Sequence, residues 1–382
     1  MDMTVNRLPA RTWNWLKMNE TVLSGVEPFR QQEIPEGNAF REENETEQSI
    51  FREIETGMGP DMDQLGENTT AAVIASEEGK MADAPVIVRL TPDGSFHRYF
   101  LHAKKGSVLK AAFLSTSEKE ETRPFALQIK VYAEEGSRVE LTMPQMLGME
   151  VLDLTDIGGL LEKDASVELV KMELGAKKVY TGALMTLKGD GSSFTAHIGY
   201  QGFSGQHLDM NYVARHLGRK TGSLMESNGI LSGNAFKLFR GSIDFVKGCA
   251  GSVGNEKEDV LLLGENVVNQ TIPLILCAEE DVEGNHGASI GELDEKTLFY
   301  LMSRGFTKEA AETMIAGARL EAIAAKIPYS EIREQVEKYL EEQHEKLDGR
   351  LSPSEKQLHC LSGQCGDRPA SGGGAERGAG IL

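Results

Sequence analysis

A small turn set just ahead of an apolar residue recurs along the middle of the chain. It reads Gly106-Ser107-Val108-Leu109, Gly136-Ser137-Arg138-Val139, Asp164-Ala165-Ser166-Val167, Gly191-Ser192-Ser193-Phe194 and Gly222-Ser223-Leu224. The interval is roughly 27 to 31 residues, a period that marks a solenoid, in which one repeat cannot bury its apolar face alone. Strand-like runs lie between the turns, from Val86 to Leu90, Phe125 to Val131, Val167 to Val170 and Gly182 to Leu187. The second is the clearest, because Phe125, Leu127, Ile129 and Val131 alternate onto one face. No amphipathic helix of useful length separates these runs, which argues against a doubly wound α/β fold. If each coil lays its strand over the strand of the coil before, every edge but the terminal ones is paired and a continuous apolar interior is buried. The expectation is a mainly β chain with a parallel β-helix core over residues 82–291.

The flanks differ in composition. Residues 1–81 form an acidic N-terminal region with short helices, and Thr12 to Asn19 holds both tryptophans. Trp13 with Leu16 and Trp15 with Met18 stand at helical spacing, so this segment is either a short amphipathic helix docked on the main body or an arm that offers aromatic anchors to a partner. Gly57-Met58-Gly59-Pro60-Asp61-Met62-Asp63 reads as a linker. After Gly291 the pattern turns helical, giving a C-terminal helical subdomain over 292–345. Leu293, Leu298, Leu301 and Met302 share one broad face, Gly305 is a natural terminator, and Thr307 an N-cap for a helix through Ala310, Ala311, Met314, Ile315 and Ala318. A third helix follows Pro328 and carries Ile332, Val336 and Leu340. Residues 346–382 are too poor in apolar side chains to fold alone, and are expected to be a disordered tail.

Charge excludes some partners. The 382 residues include 40 basic and 59 acidic side chains, a formal charge of -19 whose field repels phosphate backbones and anionic lipid. Neither nucleic acid nor a membrane is expected as a partner. The opening Met1-Asp2-Met3-Thr4-Val5-Asn6-Arg7-Leu8-Pro9 lacks the apolar stretch of a secretory signal, and no run approaches the roughly 18 apolar residues of a membrane span. Only 4 cysteines occur, too few and too scattered for a disulfide framework, so the expected compartment is a reducing cytoplasm.

The densest group of chemically capable side chains runs from Cys277 through Glu279, Glu280, Asp281, Glu283 and His286 to Ser289. Thiolate and imidazole favour iron, zinc or copper. The Cys277 to His286 spacing matches no zinc template, and one Cys with one His is too few for a closed site. A capped loop of acidic surface residues is the alternative, and a second subunit would have to complete any metal site. His197, His207 and His216 fall about ten residues apart, too far for two to share one short strand of typical length, and each is expected to be a surface or core histidine. Cys249 reads as a small buried residue at a turn. His359, Cys360 and Cys365 offer a metal-binding set in the tail. There is no phosphate loop ending in Gly-Lys-Ser/Thr, so the chain is not itself an ATPase of that kind, and no His-Glu-x-x-His helix or Cys-x-x-Cys pair.

From His286-Gly287-Ala288-Ser289-Ile290-Gly291-Glu292-Leu293-Asp294 through Leu298-Phe299-Tyr300-Leu301-Met302-Ser303-Arg304-Gly305-Phe306, the chain closely resembles the SufB/SufD family of iron-sulfur cluster assembly scaffolds. Asp259 to Leu263 and Thr271 to Ile275 extend the resemblance, which spans about Val86 to Leu340. It implies a right-handed parallel β-helix core with a C-terminal helical subdomain. It also implies that the chain works in a pair, SufB with SufD, each docking a copy of the SufC ATPase through that subdomain. Leu298, Phe299, Tyr300 and Arg304 are the contacts expected there, with ATP on the partner and not on this chain. A transient iron-sulfur cluster shared with SufB is the implied cofactor.

The SufB pattern has a cysteine where this chain has Val267, and a glutamate after the family histidine where this chain has Gly287. The His-Gly-Ala form resembles SufD, whose interface histidine matches His286. Many SufD sequences carry a cysteine at the position of Gly284, a thiol for which Cys277 is a substitute only by proximity in sequence. The resemblance thus implies a non-catalytic, SufD-like scaffold subunit. The alternatives are a SufB-like subunit that itself carries the cluster, and a β-helix carbohydrate-active enzyme, an analogy of fold alone that the aromatic content of 6% does little to support.

Overall fold

The computed structural model describes residues 1–12, 15–203 and 205–348. The expectations placed on Trp13 and on His359, Cys360 and Cys365 lie outside the described residues. The chain is mainly β, a parallel solenoid of about 8 turns with helices mostly at the C-terminal end. Successive strands alternate between two sheets, so each pairs with the strand two places on in sequence. One sheet has eight strands from Val86–Leu90 to Val282–Gly291, the other ten, of which the last is Val268–Cys277.

The repeated turns set this register. Gly106, Gly136, Asp164, Gly191, Lys220 and Gly251 all have positive φ, a conformation glycine adopts freely and other residues at a cost of about 1 kcal/mol. The amide of each donates to the next coil, Gly106 to Glu135, Gly136 to Lys163, Asp164 to Asp190, Gly191 to Arg219, Lys220 to Ala250 and Gly251 to Asp281. The residue that follows is usually hydroxylated, and the hydroxyls of Ser107, Ser137 and Ser192 donate to the carbonyl three residues back at 2.6 to 2.7 Å. A left-handed residue and a hydroxyl therefore make one unit, stacked coil upon coil. In the Gly222 repeat the left-handed residue is Lys220 and the hydroxyl belongs to Thr221; Gly222 already opens the strand Gly222–Ser232.

Side chains stack in columns inside the solenoid. Leu141, Leu169, Ala196 and Met225 form one, Ile129, Ile157, Ala183 and Tyr212 another. The outer faces are covered as well, as parallel sheets require. Helices α1 (Glu45–Glu53) and α2 (Pro60–Leu65) lie on the ten-stranded sheet, with Phe51 and Ile54 against Val73 and Phe100, and Met58 and Met62 against Phe96 and Leu154. Of the C-terminal helices α3 (Glu295–Ser303), α4 (Lys308–Ala324) and α5 (Ser330–Asp348), the last two set Leu320, Ile323, Val336 and Leu340 on Val170, Met172, Ile230 and Leu261 of the eight-stranded sheet. Thr307 caps α4 by accepting from the Ala310 amide. Met314, placed by its spacing on the packed face, is 43% exposed, because α4 docks through its C-terminal half.

Several expectations for the flanks fail for identifiable reasons. Trp15 to Lys17 form a turn and not a helix; Lys17 has φ of 54°, which no right-handed helix accommodates, and Trp15 is 94% exposed. Met18 anchors the segment, packed with Leu8 on Leu238 and Ile272, and the Asn19 carbonyl accepts from the Leu8 amide at 2.8 Å. The expected linker is instead pinned to the sheet. Gly57 donates to the Ile157 carbonyl at 3.1 Å, Met58 to Asp156 at 2.9 Å, and Asn211 to the Gly57 carbonyl at 2.9 Å. A Cβ on Gly57 would fall 1.9 Å from the Ala183 nitrogen, and one on Gly182 would fall 2.2 Å from that of Met58, so the two glycines let backbone lie on backbone. At the other end α5 continues to Asp348, past the start expected for the tail.

Candidate functional site at the open end of the solenoid

The Cys277 to Ser289 cluster is not a loop but parts of two strands joined by a short turn. Cys277 ends the strand Val268–Cys277, and His286 lies inside Val282–Gly291. Glu279 holds the turn by accepting from the Gly248 amide at 2.9 Å and the Glu280 amide at 3.0 Å. These two strands are the last in their sheets, each with one edge unpaired among the described residues. The acidic-loop alternative is thereby replaced by a pair of sheet edges that carry an imidazole and a thiol.

Register decides which way His286 faces. In the preceding strand, Ser252–Leu263, the positions buried toward the interior are Ser252, Gly254, Glu256, Glu258 and Val260, whereas Leu261 is buried on the outer face under the helices. Their partners above are Val282, Gly284, His286, Ala288 and Ile290. His286 thus continues the inward-facing column Leu141, Leu169, Ala196, Met225 and Glu256; among the described residues no further coil covers it, and it is exposed. Gly284 shares that side; a Cβ there would lie 3.0 Å from both Ile275 and Phe245. Cys277 stands in register with Phe245 at the corresponding end of the other sheet, and its thiol is free and exposed. Val267 packs against the edge of the core.

Beneath this mouth is a polar floor that the sequence reading missed. Lys237 Nζ sits 2.5 Å from Glu258 Oε1 with both side chains fully buried, and it donates to Asn269 at 3.0 Å and Thr271 at 2.9 Å. Tyr200 and Thr271 donate to the two Glu258 oxygens at 2.7 Å each. Next to it, Glu256 is pushed up to about 7 by burial and the Glu258 charge, against the pull of Lys237. The available signal was charge inside an otherwise apolar strand run, as in Phe236-Lys237-Leu238-Phe239.

His197, His207 and His216 are structural. His207 and His216 occupy the two ends of one strand, His207–His216, contrary to expectation, because coils this wide use strands of ten residues. His216 is fully buried between Thr221 and Ser223, and burial pushes it down to about 4. His207 stacks on Phe236 at 4.4 Å, and His197 is buried on Ser193–Gly202. Cys249 is buried as expected. One motif was overlooked: Gly287-Ala288-Ser289-Ile290-Gly291 has the Gly-x-Ser-x-Gly spelling of a nucleophile elbow. It lies within a continuous strand, whereas such an elbow needs a sharp strand-to-helix turn, so Ser289 is not presented as a nucleophile.

Of the expected contacts on α3, Phe299 is 75% and Tyr300 55% exposed, with the Arg304 guanidinium 5.1 Å from the Tyr300 ring. No residue of α3 is buried. Among the described residues no group of three or more His, Cys, Asp and Glu side chains is placed to hold a metal ion, and no helix is long and apolar enough to cross a membrane.

Residues 87–319 match the family model described as SUF system FeS cluster assembly, SufBD core domain. The chain is 27% identical over 201 residues to the iron-sulfur cluster assembly protein SufB of Bacillus subtilis, 52% of this chain and 43% of that protein. To SufD of the same organism it is 29% identical over 126 residues, 33% of this chain and 29% of that protein. To a SufBD family protein of Mycobacterium leprae it is 27% identical over 201 residues, 52% of this chain and 23% of that protein. The matched stretch thus spans less than half the length of these relatives, and their names divide between the two subunits. The match to the core model covers more than half of the chain, which belongs to the SufBD family of the SUF iron-sulfur cluster assembly system.

Proposed function

We propose that the chain is a non-catalytic scaffold subunit of SufD type, which pairs with a SufB-like subunit through its final coil and receives a SufC-like ATPase on its C-terminal helices. The observation that carries this reading is the end of the solenoid. The end strands of the two sheets, with edges open among the described residues, present His286 and Cys277, one imidazole and one thiol, too few for a metal site alone. A partner's edge strands would satisfy the exposed backbone and add the missing ligands. The iron-sulfur cluster is then cargo held briefly between subunits, and ATP belongs to the docked partner. The cytoplasm is the compartment that this chemistry suits.

The SufD assignment rests on Val267, Gly287 and the His-Gly-Ala sequence at His286, whereas relatives of both names match. A SufB-like role is the second reading, favoured by the longer match to SufB. The carbohydrate-active alternative gains no support from the family match. The deciding experiment is an anaerobic affinity purification of the tagged chain from its native cytosol, with partners identified by mass and stoichiometry. Recovery with one SufB-like chain and ATPase subunits supports the reading; recovery with a SufD-like chain supports the second. Recovery alone or as a homo-oligomer overturns the assembly and leaves only the family.

A further inference from the structure

Of the charges beneath the open end, Glu256 is the one left uncommitted. It is 5% exposed and accepts no hydrogen bond among the described residues. Its neighbour Glu258 is fully engaged: Tyr200 and Lys237 meet Oε1 at 2.7 and 2.5 Å, and Thr271 donates to Oε2 at 2.7 Å. Lys237 is engaged as well, donating to Asn269 at 3.0 Å and Thr271 at 2.9 Å. A carboxyl taken out of water without donors weakens a fold. Glu256 therefore calls for an explanation outside packing.

Its position supplies one. Glu256 and His286 are register partners on neighbouring strands, both turned inward, and strands of one sheet lie about 4.8 Å apart. An imidazole that ligates through one nitrogen leaves the other to donate, and the acceptor that takes this bond fixes the tautomer and the ring orientation. Few inward-facing side chains near His286 can accept. Gly284 and Ala288 flank it on its own strand, and Gly254 and Glu258 flank Glu256 on the strand below. The first three carry no polar side chain, and both oxygens of Glu258 are taken. The Glu256 carboxyl itself lies over Gly241, where a Cβ would fall 2.7 Å from Oε1, so this glycine leaves the carboxyl its room.

We propose that Glu256 is a positioning residue for His286: it accepts a hydrogen bond from the inner ring nitrogen and so fixes the orientation in which the other nitrogen meets iron at the subunit interface. This rests on the reading of His286 as an interface ligand. Stability is given up at the mouth of the solenoid to hold one imidazole in place.

The test is nitrogen-15 NMR of the histidine-labelled full chain, with the His286 signals identified by their loss in His286→Ala. Glu256→Ala is expected to move both ring-nitrogen shifts of His286 towards those of an unconstrained imidazole, while the chain unfolds at the wild-type temperature or above it. Glu256→Gln keeps an acceptor oxygen and is expected to hold the shifts near their wild-type values. Gly241→Ala puts a methyl group where the carboxyl lies; it should move the same signals, and it keeps the test open should Glu256→Ala fold poorly. On the reconstituted complex, Glu256→Ala is expected to lower cluster yield roughly tenfold, with Glu256→Gln restoring most of it. His286 shifts that are the same in the wild type, Glu256→Ala and Gly241→Ala overturn the proposal, and so does a cluster yield that falls in His286→Ala but not in Glu256→Ala. A yield that His286→Ala itself leaves unchanged overturns the interface reading instead, whatever the nitrogen shifts show.

Discussion

Glu256 and His286 are register partners on adjacent parallel strands, both on the side that turns into the solenoid, and among the described residues no further strand lies above His286. The imidazole therefore stands at a boundary. Below it are buried, hydrogen-bonded charges, and beyond it is whatever occupies the open end. Its accessibility follows from the position of this strand at the end of its sheet among the described residues, and its inward aim follows from the two-residue period of the strand.

Replacement of His286 by alanine is expected to leave the fold and the complex intact, because exposed side chains away from the core contribute within about 0.5 kcal/mol. Cluster formation on the reconstituted complex should fall by roughly tenfold or more, the scale seen when a metal site loses a supporting group. Thermal unfolding, gel filtration and iron-to-sulfide stoichiometry separate these effects. An unchanged cluster yield would show that His286 has no part in the site.

Glu47 provides a pH signature for the N-terminal layer. Burial alone would raise its carboxyl, but hydrogen bonds from Arg41 and His102 and from the Asn44 amide outweigh that and hold it near about 2, against an ordinary value of 4.5. A carboxyl held low stabilises the folded state above its unfolded value, and this contribution drains away as pH falls from about 4.5 towards about 2. The full contribution is on the order of 3 kcal/mol. Urea unfolding of the wild type should therefore lose more stability over this interval than Glu47→Gln does; parallel curves for the two proteins would remove Glu47 from the account.

Much of this architecture was legible from the turns, because a left-handed residue followed by a hydroxyl leaves a Gly-Ser trace wherever glycine fills the first position. Where Lys220 fills it, as the backbone permits at modest cost, the trace shifts and Gly222 misleads. Final-coil residues were legible through the motif around His286. The charged floor was not, because both sheets are covered on both faces: the strand Phe125–Ala133 buries Lys130 outward under α1 just as it buries Ile129 inward. Parity of charge in such a strand does not tell which side is the interior. Gly57 failed as a signal for a related reason, since close backbone packing and a flexible linker call for the same residue, as does the φ of 101° at Gly59.

Arg240 ties the N-terminal segment to the solenoid. Its guanidinium, fully buried, pairs with Asp209 and donates to the Met18 carbonyl at 2.8 Å and the Thr21 hydroxyl at 3.1 Å. Arg240→Ala leaves Asp209 buried without its cation and should cost about 3 to 5 kcal/mol in urea unfolding. The double variant Arg240→Met with Asp209→Asn should recover much of that loss, because replacing both charges removes the unpaired one. A single variant as stable as the wild type would mean that the pair is solvated in solution.

On the proposed reading, docking on the exposed face of α3 can be separated from folding. Phe299 is 75% exposed and α3 buries none of its residues, so a charge there is expected to change thermal unfolding of the isolated chain by no more than a degree or two. The same ring is apolar, rigid and next to Tyr300, which the Arg304 guanidinium approaches at 5.1 Å, and aromatic and arginine side chains dominate binding energy in small interfaces. Phe299→Asp should therefore abolish co-purification of the ATPase subunit, a loss of at least 2 kcal/mol or roughly thirtyfold in affinity, while recovery of the SufB-like chain is unaffected. Loss of both partners together would place Phe299 in the pairing of the two scaffold subunits, and retention of the ATPase would move its docking surface off this helix.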